Sequence, residues 1–329
     1  MASHIQHPNL PVPDYFSKFA SIYVRQTGHA TLNILTDIIT NNVQTSAHPI
    51  GPDSVVHDTA AGPGIGAAAL VASLPKGQLP KKMLVSDNNA MMVNAALESL
   101  AASPLPDVDC KELDSQDVNP VPSNYFTHSI DNFSIFTFVR PGDAIRETYR
   151  TLRPDGLAIV TCWSRFAPVF IVHAAQKKIR PDLPDSALMP TPRPEFSEEG
   201  VLQKVVEESG FAKANITMVD KVLVVTEEDN IAGLTMLMSG PMMAKAREGF
   251  TDEEQAKWGE AVSQSVKEEV AKNGGIRFEA YVLLGRAENQ KNPSVPTIDD
   301  SCNSSTMNHV FEKTTGGVLI GIGDIEDQR

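Results

Sequence analysis

The sequence predicts an α/β domain built on a doubly wound, mostly parallel sheet, and three observations carry that prediction. Strand-length apolar runs alternate with helix-period segments through the first half of the chain, the order that places helices on both faces of a parallel sheet. Leu157–Cys162 is almost continuously apolar, as strands buried on both faces are. A cluster of small residues, Ala60, Ala61, Gly62, Gly64 and Gly66, joins the first strand pattern to the helix pattern behind it.

Taken in order, residues 1–13 hold Pro and His without periodicity and read as a flexible arm. Tyr15, Phe16, Phe19, Ile22 and Tyr23 recur at three- and four-residue spacing, which predicts an amphipathic helix, and Thr31–Thr40 predicts a second. These two form an N-terminal helical cover. Strands follow at Ser54–Asp58, Lys82–Ser86, Asp109–Leu113, Phe126–Ile130 and Leu157–Cys162, with helices at Ile65–Leu74, Ala90–Ala101 and Asp143–Leu152 between them. Arg-Pro-Asp-Gly stops the last of these helices. Beyond Trp163 the pattern predicts a helix at Pro168–Ile179, a proline-rich link, and a helix at Ser197–Ser209 with Ser197 as its N-cap. A strand at Ile216–Thr226, helices at Ile231–Met238 and Asp252–Lys272, and a strand at Ile276–Gly285 complete the pattern. Seven strands result. The domain is expected to span 14–287, with residues 288–329 a polar, disordered tail whose apolar GGVLIGIG segment is assigned no role.

Among 329 residues, 28 Lys and Arg stand against 41 Asp and Glu, a net charge of −13, which argues against a nucleic-acid partner because phosphate binding needs a basic face. No apolar run approaches a membrane span, and the first residues carry no apolar signal core. Cys110, Cys162 and Cys302 lie far apart with no neighbouring ligand spacing, so they read as reduced thiols with no metal and no disulfide framework. A cytoplasmic protein acting on a small-molecule substrate, without a membrane partner, is the expectation; the oligomeric state is not legible.

The most informative stretch is His57-Asp58-Thr-Ala-Ala-Gly-Pro-Gly-Ile-Gly66. Glycines between strand and helix let a ligand approach the backbone, and the helix start adds free N–H groups. Asp87 ends the next strand pattern, where an acid reaches ribose hydroxyls; capping the following helix is the lesser reading and is compatible with that role. Asp114 and Asp117 follow the third strand. Gly62-x-Gly64-x-x-Ala67 also satisfies a dinucleotide fingerprint. Asp58 discriminates between the two cofactors: a carboxylate there would face pyrophosphate, whereas it suits the ammonium and sulfonium of S-adenosylmethionine.

These residues resemble the class I S-adenosylmethionine-dependent methyltransferases. Asp58-Thr-Ala-Ala-Gly-Pro-Gly is similar to their first motif, with Ala60 in place of the usual first glycine. Ser86-Asp87-Asn88-Asn89-Ala-Met-Met92 resembles the ribose-binding acid and the methionine that packs on adenine, and Asp114-Ser115-Gln-Asp117 resembles the adenine-edge motif. Glu147 to Thr161, Glu208 to Phe211 and Arg277–Arg286 fit the closing elements. The resemblance implies a Rossmann-like seven-stranded fold, S-adenosylmethionine as cofactor, and methyl transfer to a small hydrophobic metabolite, closest to enzymes of ubiquinone biosynthesis and fungal secondary metabolism. The acceptor atom (O, S, N or C) stays open. Implied cofactor contacts are Tyr23, Asp58, Ala60, Gly62, Gly64, Asp87, Asn88, Met92, Asp114, Ser115 and Asn132.

Tyr15, Phe19, Phe133 and Trp163 are the substrate-side candidates, with Ala167–Ile179 and the methionine-rich Ala232–Met243 as further wall segments or ordinary core. His128 and His173 are the candidates for a general base, and each reads more readily as a structural histidine, His128 in a strand core and His173 on a helix face. A cyclase or isomerase on the same fold, or a binding protein that has lost transfer, is the alternative function. A nicotinamide oxidoreductase is the more distant one.

Overall fold

The computed structural model describes residues 29–288, and within them a seven-stranded sheet has the order β3-β2-β1-β4-β5-β7-β6. The strands are β1 (Val55–Thr59), β2 (Lys82–Asp87), β3 (Val108–Glu112), β4 (Phe126–Asn132), β5 (Leu152–Arg165), β6 (Ile216–Val225) and β7 (Ile276–Arg286). β1 to β5 are mutually parallel, and β7 enters antiparallel between β5 and β6. The helices are α1 (residues 29–38, running into a π-turn at Ile39–Val43), α2 (Ile65–Ser73), α3 (Ala90–Leu100), α4 (Pro141–Thr151), α5 (Ala167–Ile179), α6 (Val201–Glu208), α7 (Glu228–Ser239) and α8 (Asp252–Asn273). None of them is long and apolar enough to cross a membrane. The expected helix around Tyr15–Tyr23, with Tyr15, Phe19 and Tyr23, and the tail beyond residue 288 lie outside the described residues.

Both faces of the inner strands β1, β2, β4 and β5 are buried, and the period of two along a strand sorts its side chains between them. Val56, Met83, Val85, Ile130 and Ile159 pack beneath α1, α2, α5 and α8, while Val55, Leu84, Phe126, Ala158 and Val160 pack beneath α4 and α6. Each fully buried large side chain contributes about 1.5–3 kcal/mol of transfer free energy. Helix α8 begins at a capping box: the Glu254 N–H donates to Thr251 Oγ1 at 3.3 Å and the Thr251 N–H to Glu254 Oε2 at 2.8 Å.

Two local expectations change. The helix predicted from Ser197 begins instead at Val201, because Gly200 adopts φ 83° as its cap. Ser197 closes a 3₁₀ turn, its Oγ donating to the Pro194 carbonyl at 2.7 Å rather than accepting from a first-turn N–H. Arg-Pro-Asp-Gly does end α4, but the chain is already paired with β4 at Leu152 and bulges before rejoining it at Leu157. The bulge is fixed from β7: the Asp155 N–H donates to the Ala287 carbonyl and the Ala287 N–H to that of Gly156, both at 2.9 Å.

Candidate active site

Parallel strands deliver their carboxyl ends to one edge, and the turns leaving β1, β2 and β4 meet there around a cavity of about 850 Å³. That volume lies within the ~300–1,000 Å³ typical of small-molecule sites. The turn after β1 coils tightly: Ala60, Gly62 and Gly64 all have positive φ (47°, 56° and 89°). Glycine takes this conformation freely and alanine does so at a cost, so Ala60 at the first position carries local strain. The fourth small residue is required by packing. A Cβ on Gly66 would lie 2.4 Å from the carboxyl carbon of Asp58.

Asp58 is fully buried at the end of β1, on the face covered by α2. Neither carboxylate oxygen has a well-aligned hydrogen-bond partner. Burial pushes its pKa up to about 7; the N–H groups of Gly66 and Ala67 in the first turn of α2 draw it back, and Asp87 and Asp131 add repulsion. A second carboxylate one strand away, Asp131 on β4, is likewise raised to about 7 by burial, against hydrogen bonds from Ser134 and Ile135. An unpartnered buried carboxylate at the cavity wall is what a cationic ligand complements.

Asp87 ends β2. Its Oδ2 accepts the Gly62 N–H at 2.9 Å and its Oδ1 accepts the Asn89 N–H at 2.9 Å, so one side chain joins the glycine turn to the start of α3. Helix α3 is capped by Asn89, whose side chain accepts from the Met91 N–H at 2.9 Å, and Asp87 is thereby left free of that duty. Burial raises the Asp87 pKa, and the two backbone donors lower it. Asn88, Met92 and Ser115 stand beside it on the wall, with the Ser115 hydroxyl accepting from Thr59 Oγ1 at 2.7 Å.

The far side of the cavity is aromatic. Phe133 leaves β4 with φ 58°, its N–H donating to Thr161 Oγ1 at 2.8 Å, and the same hydroxyl donates to Asn132 Oδ1 at 3.1 Å. This holds the Phe133 ring parallel to Trp163 at 3.8 Å between centroids, and Phe166 and Phe278 close around Trp163 at 5.3 and 5.4 Å.

Of the residues singled out from sequence, Asp58, Ala60, Gly62, Asp87, Asn88, Met92, Ser115, Asn132, Phe133 and Trp163 line the cavity together. Asp114 does not. Its Oδ1 accepts from the backbone N–H and the Nε2 of Gln116, at 2.9 and 3.1 Å, and Gln116 stands on the wall instead. Gly64 lies behind the turn, against Ala96 and Leu100 of α3. Neither histidine reaches the cavity. His128 is held between Thr127 and the His48 carbonyl, with burial lowering its pKa to about 4, and His173 Nε2 meets the Met189 carbonyl at 2.9 Å. From the methionine-rich segment, Met242 and Met243 line the cavity, whereas Met236 is exposed and Met238 is core.

Sequence reasoning missed the proline-rich link. Met189 to Pro194 form one wall, fastened by Arg193, whose guanidinium donates to the Phe138 and Val139 carbonyls and pairs with Glu195. The wall's partners Phe136 and Phe138 lie more than fifty residues earlier in the chain, so no local pattern marks the link as a wall.

Comparison with known proteins matches residues 58–160 to a family described as a methyltransferase domain, a segment that runs from Asp58 into β5 and contains the glycine turn, Asp87 and Phe133. Among solved structures, the chain is similar to the YcgJ protein of Bacillus subtilis (15% identity, 79% of this chain and 99% of that one, TM-score 0.43). It is also similar to the [4+2]-cyclase SpnF (16%, 85% and 98%, TM-score 0.47). A third is a Haemonchus contortus phosphoethanolamine N-methyltransferase holding S-adenosylhomocysteine (13%, 82% and 60%, TM-score 0.41). The family match thus falls on residues 58–160, the segment that carries the glycine turn and its acids, and over that segment the chain is similar to a methyltransferase domain.

Proposed function

We propose that the protein transfers the methyl group of S-adenosylmethionine to a small hydrophobic metabolite of the kind made in secondary metabolism, in the cytoplasm. One observation carries this reading: a single cavity has carboxylates and a glycine turn at one end and an aromatic cluster at the other. In this reading the Asp87 oxygens, each with a lone pair left beyond its backbone bond, accept the ribose hydroxyls. Met92 packs on the adenine, Ser115 and Gln116 meet its edge, and Asp58 balances the positive charge of the donor. Phe133 and Trp163 hold the acceptor. The bound cofactor supplies an already activated methyl group, so the protein's own task is alignment and exclusion of water.

The test is incubation of the purified chain with S-adenosylmethionine and a panel of apolar small molecules, reading S-adenosylhomocysteine and methylated product by mass spectrometry. Equal amounts of the two support the proposal. Conversion of an acceptor without S-adenosylhomocysteine would replace it with the cyclase or isomerase alternative.

A further inference from the structure

Two walls of the cavity lie far apart in the chain: the link Met189–Pro194, and the 3₁₀ segment Pro241–Arg247, which contributes Met242, Met243 and Lys245. One side chain joins them. Gln176 of α5 accepts the Met189 N–H on Oε1 at 3.0 Å and donates from Nε2 to the Ala246 carbonyl at 2.8 Å. It is 2% exposed and is not itself on the wall. The two partners settle which end of the amide is oxygen, because an N–H only donates and a carbonyl only accepts. One turn earlier on α5, His173 Nε2 meets the Met189 carbonyl at 2.9 Å, so both backbone groups of Met189 are gripped from one helix face.

The link needs such a grip. Pro190, Pro192 and Pro194 have no N–H to give, so no regular backbone ladder can hold it. Its other end is fastened at Arg193, to the carbonyls of Phe138 and Val139. From Met189 to Arg193 the chain is therefore a strap pinned at both ends and stiffened by proline. The side chains on the two walls include Met189, Met242 and Met243, whose thioether chains adapt to whatever they meet. Their volume does not set the size of the space; the spacing of the two backbones does, and Gln176 holds that spacing. Among the described hydrogen bonds, those of Gln176 go to these two walls and none reaches the glycine turn.

Resting on the proposed function for what the cavity holds, we infer that Gln176 determines the largest acceptor the site admits. It is a positioning residue: by tying the link to the methionine-bearing segment it limits the length of apolar tail that an acceptor can carry. Removing the amide lets the two walls part while the cofactor end keeps its geometry.

The experiment titrates the full chain by calorimetry with 4-ethyl-, 4-butyl-, 4-hexyl- and 4-octylphenol, one ring on a tail of rising length, and separately with S-adenosylmethionine. In the parent, affinity is expected to rise roughly tenfold for each two methylenes until the tail fills the space, and to stop rising there. Gln176→Met, of similar length without either polar atom, should move that break to a longer tail. The first probe excluded by the parent should bind the variant at least about tenfold more tightly, with the Kd values of 4-ethylphenol and S-adenosylmethionine within about twofold of the parent. Gln255→Met is the control: Gln255 Nε2 donates to the Arg247 carbonyl at 3.0 Å, steadying the same segment without touching the link. Gln176→Asn, too short to span both partners, carries the test if the first variant does not fold. An unmoved break, or an equal shift in Gln255→Met, would overturn the inference, as would a parent that binds none of the four or gains affinity through all of them. A break that moves while S-adenosylmethionine fails to bind defeats the proposed function and leaves the role of Gln176 standing. An unmoved break with S-adenosylmethionine bound defeats only this inference.

Discussion

The Asp87 carboxylate bridges two turns, accepting the Gly62 N–H on one oxygen and the Asn89 N–H on the other, each at 2.9 Å. The glycine turn is thus positioned by the residue proposed to bind ribose. Asp87→Ala is expected to remove two charge-assisted hydrogen bonds to the ribose at about 1.5–3 kcal/mol each, lowering affinity for S-adenosylmethionine by about 100-fold or more. Calorimetry with circular dichroism as a control for folding checks it; unchanged affinity would remove Asp87 from the site.

Gly66→Ala places a methyl group 2.4 Å from the Asp58 carboxyl carbon, deep beneath α2 where neither side gives way easily. Overpacking of this kind costs about 1–3 kcal/mol. A fall in Tm is expected together with weakened cofactor binding, since the displaced turn is the one that lines the cavity. Gly259→Ala, on α8 with open space around its Cβ, serves as the control and should leave Tm unchanged or raised.

Asp58 makes stability depend on pH in a defined direction. Its pKa is about 7 in the folded chain against 3.8 as the reference value, so between those limits the native state holds a proton that the unfolded chain has lost. Its contribution to stability is full below about pH 4, falls as pH rises, and is lost above about pH 7. Asp58→Asn removes this dependence. The variant's Tm relative to the parent should therefore climb from pH 4 to 7 and level off above, while binding of S-adenosylmethionine is weakened. Parallel Tm profiles of the two proteins would contradict the assignment.

Trp163 is stacked on Phe133 and touches Phe166 and Phe278, and no described hydrogen bond ties it to the glycine turn. Trp163→Ala should lower stability by about 3–5 kcal/mol and raise KM for the acceptor, leaving the Kd for S-adenosylmethionine within a few-fold of the parent. Separate titrations of cofactor and acceptor read the two effects apart.

Much of this was legible in the sequence because it is local. The glycine turn follows from five small residues between a strand and a helix, and Asp58 and Asp87 from their places at strand ends. What escaped depends on distant partners or on a neighbour's competition. Asp114 turned out to serve its own turn through Gln116, two residues on, and so left the wall to that residue. Ser197 looked like a cap, but Gly200 supplied a backbone conformation that starts the helix later. The Phe133–Trp163 stack joins the turn after β4 to β5, and the wall from Met189 to Pro194 is fixed by Arg193 reaching carbonyls more than fifty positions away. No period or motif encodes such pairings.

The most direct measurement is calorimetric titration of the protein near pH 7 with S-adenosylmethionine, S-adenosylhomocysteine and NADH, each in two buffers of different ionisation enthalpy. With Asp58 on the cavity wall near pKa 7, a cation entering beside it should expel a proton, more for the sulfonium than for the neutral thioether of the product. One-site binding of S-adenosylmethionine with that proton release, and no binding of NADH, is the predicted result. Tight binding of NADH, or no heat from S-adenosylmethionine in either buffer, would contradict the account.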